Sequence, residues 1–80
     1  MENAQIEALI QAGIPDAQVT VTGDGRHFEA QIVSAEFEGK SLIQRHRLVL
    51  GTVQAQIAAD ELHALSITSA KTPAELGASG

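Results

Sequence analysis

Eighty residues provide one hydrophobic core with no room for a second, and a chain this short buries only about 60–65% of the surface its unfolded form exposes. Hydrophobic residues make up 44% of the chain but are nearly all Ala, Val, Ile and Leu; with two Phe and no Trp or Tyr, base stacking on aromatic platforms is nearly excluded. A net charge of −5 repels phosphate backbones, and the lack of cysteine excludes disulfides, thiol redox chemistry and any thiolate metal site of the chain's own.

The opening "MENAQIEALI" has neither a cationic leader nor a long apolar run, so the expectation is a cytoplasmic protein without a membrane partner. Ile6, Leu9 and Ile10 fall at i, i+3 and i+4 and predict a helix over 3–12, with Asn3 as N-cap and Gly13 and Pro15 closing it. "AQVTVTG" alternates Val19 and Val21 with Gln18, Thr20 and Thr22, the pattern of a half-buried strand. "GDGR" is turn chemistry. From His27 the alternation resumes, with Phe28, Ala30 and Ile32 on one face and His27, Glu29 and Gln31 on the other. The two strands therefore form an antiparallel hairpin.

Residues 41–59 change period: Leu42, His46, Val49, Val53 and Ile57 recur at helical spacing, and Gly51 predicts a break between two helices. "LHALSI" returns to strand character. "TPAEL" opens a last helix, with Thr72 as N-cap, Pro73 at N1 and Glu75 completing a capping box. The order is αββααβα in a single domain over 1–80, its core expected over 3–76 and a frayed tail over 77–80.

The helical crossover between the second and third strands suits a parallel, right-handed connection. Parallel strands begin at the same sheet edge. His27 starts the second strand and His63 the third, so both are expected near one edge, with backbones about 5 Å apart if the strands are neighbours.

The segments "GDGRHFEAQIVS", "FEGKS", "RHRLV" and "HALSI" before "TPAE", in that order, resemble the BolA family, in particular its short IbaG-like branch, from about Pro15 to Glu75. The resemblance implies an α+β, class II KH-like fold with a three-stranded mixed sheet and helices packed on one face. It also implies partnership with a monothiol glutaredoxin, in which the two proteins share a [2Fe-2S] cluster or associate without it. Such complexes serve iron–sulfur assembly and trafficking or iron homeostasis. The family's ligand in "LHAL" corresponds to His63. Its second ligand comes from the hairpin turn, where cysteine-type members carry the thiol at the position of Asp24. His27 is the nearest competent replacement, and Asp24 is a harder oxygen donor less usual at such clusters. A glutaredoxin thiol and glutathione would supply the remaining ligands, and the isolated chain is expected to hold no cofactor.

Each of these residues also has a plainer reading. His63 alone is a strand-start histidine half packed on the sheet with the parity of Leu65 and Ile67, and His27 a solvent-face residue beside a turn. His46 lies on the apolar helical stripe and reads as structural. Lys40, Arg45 and Arg47 form a small basic patch suited to an acidic partner surface or glutathione carboxylates. The alternative is a KH-like DNA- or RNA-binding transcriptional regulator linked to stress response, although "FEGKSLIQRHR" contains no GXXG loop. A homodimerisation module is a third reading. No nucleophile elbow, P-loop or HExxH is present and the carboxylates are scattered, so an enzyme is not expected.

Overall fold

The computed structural model describes residues 1–78. Its elements are α1 (Asn3–Gly13), β1 (Gln18–Gly23), β2 (His27–Val33), a 3₁₀ turn (Ala35–Phe37), α2 (Leu42–Thr52), α3 (Gln54–Ala58), β3 (Ala64–Lys71) and α4 (Pro73–Ala78). The α+β order is the expected αββααβα with one 3₁₀ turn added. The strands form one mixed sheet in the order β1-β2-β3, antiparallel between β1 and β2 and parallel between β2 and β3.

Period-two alternation decides which face is covered. Val21, Phe28, Ala30 and Ile32 are buried against Ile6, Ile10 and Ile14 of the α1 segment, with Phe37, Val49, Val53 and Leu62 completing one core. Thr20, Thr22, His27, Glu29, Gln31 and Ser66 lie exposed on the other face. The parallel register runs from His27↔Ala64 to Ala30↔Ile67 and then skips Thr68, so that Ile32 faces Ala70. This bulge exchanges the parity of β3. Leu65 and Ile67 pack inward before it and Ala70 after it, whereas strict alternation would have aimed Ser69 at the core.

Several local expectations shift by a residue or two. The N-cap of α1 is Glu2 rather than Asn3, with the Gln5 side chain accepting from the Glu2 N–H at 2.7 Å. The helix pair breaks at Val53, since Gly51 lies within α2. Val49 and Val53 are buried, but Leu42 (62% exposed), the first residue of α2, and Ile57 (42%), beyond the break, fall off the inward stripe. Reciprocal bonds between Thr72 and Glu75 form the expected capping box of α4, at 3.1 and 2.8 Å. Gly77 and Ala78 continue α4 instead of fraying, and the last two residues of the expected tail lie outside the described residues.

Two side-chain clamps tie the sheet to its loops. Asp16 accepts from the Ser34 hydroxyl at 2.6 Å and the Ala35 N–H at 2.8 Å, bonds that hold its carboxyl below the usual carboxylate range. Glu7 accepts from the Val21 N–H at 2.9 Å and so covers part of the β1 edge.

Candidate functional site

The hairpin turn is built around Asp24. Its Oδ1 accepts from the N–H groups of Arg26 and His27, both at 2.9 Å, while its own N–H donates to the His27 carbonyl. The bond from the His27 N–H, then that from Arg26, holds the Asp24 carboxyl below its ordinary range. Gly25 carries a φ of 96°, a conformation that glycine adopts without strain. Gly23 is required for a different reason: a Cβ there would collide with the His27 carbonyl oxygen and press on Phe28. The turn thus fixes the backbone of His27 and leaves its imidazole exposed at the head of β2.

His63 arrives from the other side through a helix stop. After α3, Asp60 takes a φ of 65°, and the N–H groups of Asp60 and Glu61 donate to the carbonyls of Ile57 and Gln56 at 3.1 and 2.9 Å. This is the Schellman pattern, with aspartate at the left-handed position that glycine usually fills. Leu62 then plunges into the core and anchors the segment. His63 follows it, one residue ahead of β3 rather than within the strand, and exposed rather than half packed. Its Nδ1 lies 3.3 Å from Asp60 Oδ1.

His27 pairs in register with Ala64, so His63 stands one residue before the position opposite His27. Both histidines line one open cleft of about 420 Å³, together with Arg26, Glu61, Ala64 and Met1. His27 also borders a depression of about 400 Å³ on the exposed sheet face, beside Glu29 and Ser66. The structure therefore brings His27 and His63 together, as the parallel crossover requires. Asp24 shapes the turn and borders the second depression rather than the cleft shared by the two histidines.

Sequence reasoning missed Arg26 and Asp60. Asp60 had a signal, because His27 and His63 each have an aspartate three residues before them, in "DGRH" and "DELH".

The basic residues are placed differently from the patch the sequence suggests. Arg45 is only 12% exposed in its side chain, and its donors point inward. Nε donates to the Lys40 carbonyl at 3.0 Å and one terminal nitrogen to the Ala70 carbonyl at 3.0 Å; the guanidinium also forms a two-point pair with Glu75 at 2.7 and 3.2 Å. It lies 5.8 Å from the Phe37 ring centroid. Arg45 is thus a structural bridge that ties α2 to β3 and α4. Lys40 donates to the Glu36 carbonyl at 2.9 Å, and Arg47 is exposed on α2. Lys40 and Arg45 sit where β2 and β3 end, one strand length (about 20 Å) from the histidines at their heads. His46 is half-buried on α2 and does not line the cleft.

A model of the family described as BolA-like protein matches residues 8–75. The chain belongs to the BolA-like family. It is 37% identical over 75 residues to the acid stress protein IbaG of Escherichia coli, covering 94% of this chain and 88% of that one. It matches the structure of a bolA protein homologue from Coxiella burnetii with a TM-score of 0.85 at 35% identity, covering 96% and 97% of the two chains. The BolA domain of SufE1 from Arabidopsis thaliana matches with a TM-score of 0.78 at 36% identity, over 91% and 93%. These structures share the helices and three-stranded mixed sheet described above, the fold that the family's class II KH-like topology implies. Among the described residues no helix of this BolA-like chain is long and apolar enough to cross a membrane.

Proposed function

We propose that this BolA-like chain is an adaptor that binds a monothiol glutaredoxin and contributes imidazoles from His27 and His63 to a [2Fe-2S] cluster shared by the two proteins. Its role is in iron–sulfur assembly, trafficking or iron homeostasis. The observation that carries the reading is the single cleft lined by two exposed imidazoles at the heads of adjacent strands.

The donor set fits a shared cluster better than a resident metal. Among the described residues no group of three or more His, Cys, Asp or Glu side chains is arranged to hold a metal ion. Two imidazoles can serve one iron of such a cluster, as in Rieske-type centres. The other iron calls for thiolates, which this chain lacks and which a glutaredoxin thiol and glutathione would supply. When bound, the cluster supplies the transferable iron and sulfide. The chain's own part is to present two neutral nitrogen donors from a fixed turn and a fixed helix stop.

Arg26, on the same cleft, offers a guanidinium to glutathione carboxylates. This guanidinium supports a docking face at the cleft. That the family's domain also occurs as one part of the Arabidopsis SufE1 protein suits a module whose task is docking.

The test is reconstitution of the chain with a monothiol glutaredoxin, glutathione, iron and sulfide, followed by visible circular dichroism. His63→Ala and His27→Ala should each alter the spectrum of the mixed complex. A spectrum unchanged by both substitutions rules the reading out.

A further inference from the structure

We infer that Asp60 is a positioning residue for His63: it holds the imidazole in the Nδ1–H tautomer and leaves Nε2 as the nitrogen directed to a metal. The inference rests on the cluster-ligand reading above for its purpose, but not for its geometry.

Three observations carry it. His63 Nδ1 faces Asp60 Oδ1 at 3.3 Å, an electrostatic contact rather than a formed hydrogen bond, and among the described residues no side chain or main-chain group hydrogen-bonds that imidazole. The backbone of Asp60 is immobilised by the Schellman closure on Ile57 and Gln56, so its carboxylate starts from a fixed point. Leu62, between the two residues, is buried in the core and fixes the backbone on the His63 side. A carboxylate accepts only, so a neutral imidazole facing it must carry its proton on the facing nitrogen. Metal-bound histidines generally donate their second ring N–H to such an acceptor, which sets the ring's orientation and raises the basicity of the ligating nitrogen. Asp24 acts differently at His27, because it holds the main chain and leaves that ring free.

The experiment reads the imidazole nitrogens directly. In the full chain without metal, at a pH well above the usual imidazole range, long-range ¹H–¹⁵N correlation spectra assign which ring nitrogen of His63 is protonated. Wild type should show Nδ1–H. Asp60→Gly, which keeps the left-handed backbone at ease, should move His63 to the Nε2–H form that predominates in free histidine. Asp60→Asn retains an acceptor oxygen and should restore Nδ1–H at least in part. An Nε2–H tautomer in wild type, or a tautomer unmoved by Asp60→Gly, overturns the assignment. The cluster-ligand reading is decided separately, by the effect of His63→Ala on the mixed complex, so either statement can fail while the other stands.

Discussion

His27 and Ala64 face each other across the parallel pair of β2 and β3, and that register brings His63 alongside the hairpin turn. The two histidines are distant in sequence, and neither belongs to the core. Both are exposed, and their neighbours, not their own packing, hold them in place.

Replacing either imidazole should therefore leave the fold intact. His27→Ala and His63→Ala are expected to change unfolding free energy by less than about 0.5 kcal/mol, the usual range for surface substitutions. Urea denaturation measures this. A large loss of stability in both would assign them a structural role.

Asp24 should behave as the keystone of the turn. Asp24→Ala removes the acceptor for two main-chain N–H groups, so amide exchange at Arg26 and His27 should accelerate and the urea midpoint should fall. Asp24→Asn keeps an acceptor oxygen and should retain most of the protection. If instead Asp24→Asn abolished cluster binding while leaving amide exchange unchanged, the carboxylate itself would be a ligand.

Arg45 should prove costly to remove. Arg45→Ala forfeits charged hydrogen bonds to two main-chain carbonyls and the contact with Phe37, an expected loss of about 2–3 kcal/mol. Arg45→Lys should recover little, since an ammonium cannot reproduce the two-point pair with Glu75. Thermal unfolding of both variants gives the comparison.

Glu75 links this bridge to acid stability. The hydrogen bond from Arg45, reinforced by the Thr72 N–H, lowers its pKa from 4.5 to about 2. Between these values the unfolded chain binds the proton more readily than the folded one, so stability rises with pH across that window. The contribution is complete above the unfolded value near 4.5 and is lost as pH falls towards about 2. Glu75→Gln should flatten the pH dependence of unfolding in that range. Asp16 and Asp24, whose pKa values are also lowered, act with the same sign.

The sequence carried the hairpin, the parallel crossover and the Thr72–Glu75 capping box, because each depends on residues near in the chain or on connection length. The meeting of His27 and His63 followed from topology alone. What it did not disclose depends on distant partners. The bulge at Thr68 becomes necessary only because Ala70 must reach the core opposite Ile32. Arg45 looked like surface charge, since Ala70 and Glu75, which engage it, lie 25 and 30 residues away. Phase was lost at Val53, where a break with no proline or glycine of its own turned Ile57 outwards. The repeated aspartate three residues before His27 and His63 was legible, but nothing in the pattern distinguished one that binds the main chain from one that faces the ring.

The most direct measurement is pulsed electron paramagnetic resonance of the reduced mixed complex, reconstituted with this chain labelled with ¹⁵N-histidine and an unlabelled monothiol glutaredoxin. Two ¹⁵N couplings of the size expected for direct iron ligation are predicted, one lost in His27→Ala and the other in His63→Ala. A cluster that forms in the complex with no ¹⁵N coupling from this chain would contradict the ligand assignment.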